Sequence, residues 1–308
     1  MFAAVLLRST AAATKKLSRN HVPRLFFSTN ITEPSIDVQA FQAKLTTLAP
    51  TISKSLSTNG YYVTPDPYTI LPRHSIQLMR DQSINLRNID NRFEQSWSEK
   101  IDASGNVTRF DKEGVFACEP DGGDYDTAPD LIMYLSVMLQ TLPDLLNSEE
   151  PEYGLSASSF NAKLAVTSPG GSVYPLHIDN PQGLSAGDTR RLTCILYMNP
   201  DYEDGDGGEL RIFGSKATTA TNEEEEKKKR EGVVDITPDG GRMVLFFSDE
   251  IPHEVLPTAP NAARSDEVKD RYALTVWIPT DHYHTIHNPK SKFATLGEEA
   301  FSSQQPPS

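Results

Sequence analysis

The order of apolar and polar positions divides the chain into a helical front and a β-rich back. Ser35 to Thr58 carries apolar residues at helical spacing, Asn59-Gly60 ends the run, and Tyr61-Tyr62-Val63 follows as a short strand. Pro65-Asp66-Pro67 is a turn, and Leu71 to Asn88 reads as a second helix. A third is announced by Thr127-Ala128-Pro129-Asp130, which offers a hydroxyl cap, a proline at an early helical position and an acid near the positive helix end. Leu131, Leu135, Met138, Leu139 and Leu142 then form the stripe of a helix that buries one face.

From about Asn161 onward the period changes. Short runs of β-formers at Ala162–Thr167, Leu192–Met198, Glu209–Phe213, Met243–Ser248 and Tyr272–Ile278 are separated by Pro169-Gly170-Gly171, Asp204 to Gly208 and Pro238 to Gly241. This order predicts an α+β chain, its core mainly β, in which helices buttress a sandwich or barrel. The run Glu223 to Glu231 between two strands reads as a solvated loop insertion, with a partner-binding segment as the other reading. Beyond His287 the composition turns to Ser, Gln and Pro, and a disordered tail is expected over 286–308.

Charge narrows the function classes. The 308 residues hold 42 acids against 29 Lys and Arg, a net charge of −13, which repels phosphate backbones and disfavours a nucleic-acid binder. Two cysteines, Cys118 and Cys194, provide neither a disulfide framework nor a thiolate zinc cluster, in keeping with a reduced compartment. The apolar runs are too short to span a bilayer, so no membrane partner is expected. The charge is uneven, however: Arg8, Lys15, Lys16, Arg19 and Arg24 precede the first acid, Glu33, in a Ser/Thr/Ala-rich segment. Basic, hydroxylated and acid-free composition marks an organellar transit peptide, here a mitochondrial presequence, with a plastid address or a plain disordered arm as the other readings of residues 1–34.

The candidate chemistry starts at His177-Ile178-Asp179. Residues i and i+2 of a strand project from one face, as a metal pair requires. One such pair arises readily by chance, and Asp179-Asn180-Pro181 also reads as a turn that Asp179 would cap. Three further features strengthen the metal reading. His253 lies just past the apolar strand Met243–Phe247, and two histidines with one carboxylate make the facial triad of non-haem Fe(II) oxygenases. Arg271 opens a strand whose alternation puts Arg271, Ala273, Thr275 and Trp277 on one face, where an arginine needs an anionic partner. The same alternation groups Thr193, Ile195 and Tyr197, so a phenol could join Arg271 in holding a carboxylate, as 2-oxoglutarate would need.

The segments YPLHIDNPQG, RRLTCILYMNPDYEDGDGGELRIF, LFFSDEIPHEVLPT and RYALTVWIPT resemble the Fe(II)/2-oxoglutarate-dependent prolyl 4-hydroxylases, nearest to the oxygen-sensing hypoxia-inducible-factor type. The resemblance covers roughly residues 160 to 280. It implies a double-stranded β-helix (a jelly roll, cupin-like) with Fe(II) on His177, Asp179 and His253. It further implies that Arg271 and Tyr197 hold the distal carboxylate of 2-oxoglutarate, that Ile195, Leu210, Val255, Thr275 and Trp277 wall the pocket, and that Arg190 and Tyr174 stand near a peptide entrance. The domain plan is then one oxygenase domain over 35–285, with helical support over 35–155 and the β-helix core over 156–285. The co-substrates implied are 2-oxoglutarate and O2, with ascorbate, and the partner is a prolyl-containing protein or peptide.

Ser168 departs from the pattern, since the family usually carries tyrosine immediately before Pro-Gly. The expected reaction is hydroxylation of a prolyl residue coupled to decarboxylation of 2-oxoglutarate to succinate. Rival readings are a 2-oxoglutarate oxygenase acting on another side chain or a metabolite, and a non-catalytic scaffold that binds metal or 2-oxoglutarate. His282, His284 and His287 have metal-like spacing but lie beyond the last strand and read as a solvated connector. Cys194 alternates out of phase with Tyr197 and should pack outside the barrel.

Overall fold

Asp37 opens the first helix in the computed structural model by accepting from the backbone N–H of Ala40, and α1 runs from Val38–Asn59. Gly60 stops it at φ +80°, a conformation glycine adopts without a side-chain clash, and its N–H closes on the Leu56 carbonyl. The structure describes residues 33–101, 107–171, 174–181, 183–213, 233–259 and 269–284, and from Pro34 on the chain forms one unit. The expected presequence, the Glu223–Glu231 run, His287 and the tail lie outside the described residues. Among the described residues no helix is long and apolar enough to cross a membrane.

After α1 come β1 (Tyr61–Val63), α2 (Arg73–Arg87), β2 (Glu94–Ile101), β3 (Val107–Cys118) and α3 (Pro129–Glu149). Then follow β4 (Asn161–Thr167), β5 (Tyr174–His177), β6 (Arg190–Tyr197), β7 (Leu210–Phe213), β8 (Val233–Ile236), β9 (Met243–Phe247), β10 (His253–Val255) and β11 (Arg271–Pro279). Among the described residues seven strands form one sheet in the order β1-β9-β6-β11-β4-β3-β2, and four form a second in the order β5-β10-β7-β8. All the pairings are antiparallel. Two sheets enclosing a lumen, with helices against the larger one, is the double-stranded β-helix architecture anticipated above.

Alternation sorts the large sheet's side chains into two separate cores. Leu164, Val166, Leu192, Cys194, Leu196, Leu245, Leu274 and Val276 pack outward against Phe41, Ile52, Met79, Leu135 and Met138 of the helices. Ile195, Tyr197, Val244, Phe246 and Ala273 point inward and meet Leu210, Ile212 and Ile236 of the small sheet. Covering both faces explains why β9 is apolar at every position. Cys194 belongs to the outer core, and burial pushes its thiol well above the usual range and that of Cys118 up to about 12, so both act as small hydrophobes.

Several elements depart from expectation. The front segment 35–155 also supplies the β2–β3 hairpin, which extends the large sheet beyond β4. Thr127 does not cap α3; the N-cap is Ala128, without a side-chain bond. The reason is local: a 3-10 turn at Gly122–Asp124 carries its own capping box, and Asp124 accepts from the N–H groups of both Thr127 and Ala128. β5 contains Pro175, which cannot donate to a ladder and is tolerated because β5 is an edge strand.

Asp130, in the first turn of α3, ties three segments together. Its Oδ1 accepts from Ser35 N (2.6 Å), Ser35 Oγ (2.8 Å) and Ile36 N (3.1 Å), and its Oδ2 accepts from Gln82 Nε2 of α2 (2.7 Å). Asp130→Ala would leave these partly buried donors without an acceptor. A loss of about 3 kcal/mol is expected in urea unfolding monitored by circular dichroism, well beyond a surface substitution.

Candidate active site

The lumen is built by register. In the small sheet His177 of β5 and His253 of β10 are direct Cα partners, and their rings lie 4.3 Å apart. Asp179 follows β5 in a turn held by Asn180 N donating to Ser248 O (2.8 Å). Its Oδ1 lies 3.5 Å from His177 Nε2 and 3.8 Å from His253 Nε2. Among the described residues this is the group whose ligand atoms converge, all within 4.8 Å of one another.

Hydrogen bonds around the triad decide which atoms face the metal. His177 Nδ1 donates to Pro175 O (2.8 Å) and His253 Nδ1 to Ile251 O (3.0 Å). A carbonyl can only accept, so Nδ1 carries the proton in each neutral ring and Nε2 presents its lone pair. Asp179 Oδ2 accepts from Thr193 Oγ1 (2.7 Å) and Trp277 Nε1 (2.9 Å), leaving Oδ1 for a cation. Thr193 and Trp277 are themselves Cα partners across β6 and β11, so one register position orients the carboxylate. Burial, then the neighbouring His177 ring, pulls His253 down to about 4, which keeps it neutral near pH 7. Burial opposes charge on Asp179, yet the two histidines and the Trp277 donor hold it below the usual carboxylate range. Two unprotonated Nε2 atoms and one ionised oxygen fit Fe(II) as a facial triad.

Arg271 and Tyr197 supply a second feature. Arg271 is 8% exposed, its Nε donates to Gly208 O (2.8 Å), and no described carboxylate pairs with it. Its guanidinium carbon lies 5.0 Å from the centre of the Tyr197 ring. Tyr197 Oη is buried without a hydrogen-bond partner. Burial pushes this phenol up against the opposing pull of Arg271, so it remains a donor. An unneutralised buried guanidinium beside an unsatisfied hydroxyl fits a carboxylate ligand, which is what 2-oxoglutarate would present.

Ile195 and Leu210 belong to the inner core and Val255 packs against it. Ala273, Thr275 and Trp277 alternate with the outward-packing Leu274 and Val276. Arg190 was anticipated at a peptide entrance. Its guanidinium pairs with Asp188 and donates to Asp179 O (2.7 Å). Tyr174 lies on β5, with Val255 as its Cα partner. The orienting roles of Thr193 and Trp277 toward Asp179 were not foreseen, although alternation had already set both on lumen faces. His282 and His284 are described but do not join a metal-binding group. A cavity of about 320 Å³ lies around the Asn199–Gly207 loop, Lys269 and Asp270, and Arg271 is the one residue of the candidate site that lines it.

Residues 162–279 match the family model described as the 2OG-Fe(II) oxygenase superfamily. This segment is similar to 2OG-Fe(II) oxygenase domains. The chain is 32% identical over 149 residues to Egl nine homolog 1 of Homo sapiens, covering 46% of this chain and 28% of that protein. It is 35% identical over 109 residues to prolyl hydroxylase EGLN3 of Mus musculus, covering 35% of each. The chain thus spans about a third of the length of these curated relatives. Among solved structures, a prolyl hydroxylase from Trichoplax adhaerens, in complex with a hypoxia inducible factor oxygen degradation domain peptide fragment, aligns with a TM-score of 0.58 at 24% identity, covering 84% of this chain and 100% of that one. A Pseudomonas putida prolyl-4-hydroxylase aligns with a TM-score of 0.54 at 24% identity, covering 75% and 98%. These two likenesses establish the fold. The oxygenase family takes Fe(II), 2-oxoglutarate and O2, and His177, Asp179 and His253 are the residues that would hold the metal.

Trp277→Phe keeps the ring and removes one of the two donors on Asp179 Oδ2. The expected result is about tenfold weaker Fe(II) or Mn(II) binding in a calorimetric titration, with little change in unfolding midpoint. Unchanged metal affinity would remove the orienting role of the indole.

Proposed function

We propose that this protein is a 2-oxoglutarate-dependent prolyl 4-hydroxylase acting on a protein or peptide. The observation that carries the reading is one lumen holding both a triad with its ligand atoms free and an unneutralised Arg271 beside the unsatisfied Tyr197 hydroxyl. The relatives named prolyl hydroxylases support the choice of proline.

When bound, Fe(II) with 2-oxoglutarate and O2 supplies the oxidising power that converts C–H to C–OH, one oxygen atom entering the product and the other the succinate formed as CO2 leaves. The chain's own part is binding and orientation. Arg271 would neutralise the distal carboxylate of 2-oxoglutarate and Tyr197 would donate to it. Thr193 and Trp277 keep Asp179 from rotating, and the apolar wall of Ile195, Leu210 and Val255 excludes water. The His177 side chain is 35% exposed whereas His253 is 6% exposed, so solvent reaches the triad on the β5 side, and a polypeptide would approach from there.

Succinate release and mass-spectrometric detection of hydroxyproline, with Fe(II), ascorbate and proline-containing peptides, test the reading. Wild type should turn over and His253→Ala should not. Arg271→Ala should raise the 2-oxoglutarate requirement about 30-fold or more while Mn(II) affinity stays unchanged. Equal loss of metal and co-substrate binding would remove the carboxylate role of Arg271.

The acid-free stretch before Glu33 supports a mitochondrial address as part of the same proposal. Residues 1 to 35 fused to a fluorescent reporter should direct it to mitochondria; a diffuse signal would refute the address and leave the enzymology untouched.

A further inference from the structure

Two lysines share one tyrosine at the rim of the lumen. Lys112 of β3 places Nζ 3.7 Å from the centre of the Tyr174 ring, and Lys163 of β4 places Nζ 5.5 Å from it. Lys163 is the Cα partner of Thr275 across β4 and β11, so its side chain leaves the sheet on the face that also carries Arg271 and Trp277. Tyr174 stands three residues before His177, on the side where solvent reaches the triad.

The cluster lacks a counter-charge. Neither lysine forms an ion pair with a described residue, although the chain carries 42 acids. Asp111 and Glu113 flank Lys112 in sequence, yet neither forms an ion pair with it or with Lys163. Burial, and then the charge of Lys163, pulls the Lys112 ammonium down to about 8. Tyr174 Oη is buried with no hydrogen-bond partner. A ring face attracts one ammonium, but two like charges over one ring also repel. The groups on offer are two ammonium donors and a phenol donor, with no acceptor apart from the phenol oxygen. That set suits a carboxylate.

We propose that Lys112, Lys163 and Tyr174 form a carboxylate-binding site that takes an acidic side chain of the polypeptide substrate near the target proline. The assignment to the polypeptide rests on the function proposed above, in which both ends of 2-oxoglutarate already have partners, at the metal and at Arg271. The site then sets specificity, selecting acidic sequence context around the proline.

The test compares a fluorescently labelled proline peptide flanked by Asp and Glu with its Asn and Gln counterpart, read by anisotropy on the full chain loaded with Mn(II). Wild type should bind the acidic peptide about tenfold more tightly. The double variant Lys112→Gln with Lys163→Gln should bring the two within about twofold, while Lys112→Arg with Lys163→Arg retains the preference. Equal or undetectable binding of both peptides by wild type, or a preference that survives the double Gln variant, overturns the site. So does a raised 2-oxoglutarate requirement in that variant with peptide preference intact, because the lysines would then serve the co-substrate. A lysine-dependent preference for the acidic peptide with no hydroxyproline formed would leave this site standing and remove prolyl hydroxylation.

Discussion

A carboxylate taken out of water must be given donors or cations, and Asp179 is where this constraint shapes the molecule. One oxygen is saturated by Thr193 and Trp277, which come from two neighbouring strands at one register position. The other is left between two imidazoles that a second sheet delivers side by side. A slip of one residue in either sheet would turn these side chains to the wrong face and leave a buried charge unpaired. The geometry of the triad and the pairing register are therefore the same requirement.

Holding that register takes more than the two sheets. The large sheet carries an apolar outer face as well as an apolar inner one, and the outer face would be exposed without α1, α2 and α3. Asp130 fixes the helices to one another and to the chain entering the fold, through its bonds to Ser35, Ile36 and Gln82. The helical layer thus does not touch the metal ligands, yet it covers the outer side of the same strands, β6, β9 and β11, whose inner side forms the lumen.

The parts of the fold legible in the sequence are those where one periodicity dominates. Alternation along β6 and β11 groups Tyr197 on one strand and Arg271 with Trp277 on the other from the sequence itself, and α3 carries its buried stripe openly. What escaped notice was set by neighbours rather than by local pattern. β5 contains a proline that only an edge position permits, β10 is three residues long, and the strands β2 and β3 are rich in polar residues. Thr127 looked like a cap because capping residues are local signals, and the preceding 3-10 turn pre-empted it. The pairing of Arg190 with Asp188, two positions away, is likewise one that composition alone does not disclose.

The distribution of charge ties the site to its ligands. A chain with net charge −13 repels anions on average, yet it gathers Arg271 in the lumen and Lys112 and Lys163 at the rim, none with a described carboxylate partner. Charges of one sign within low-dielectric walls focus the field, so an anion that crosses the acidic exterior meets a locally favourable potential. The outer acids would be screened within about 8 Å at physiological ionic strength, whereas the partly buried cations would be screened far less. Added salt should therefore weaken the general repulsion more than the specific attraction, and discrimination among anionic ligands then falls to geometry. Arg271 with Tyr197 offers one carboxylate seat deep in the lumen. The two lysines over Tyr174 offer another at the rim, and Tyr174 shares the small sheet with the metal triad.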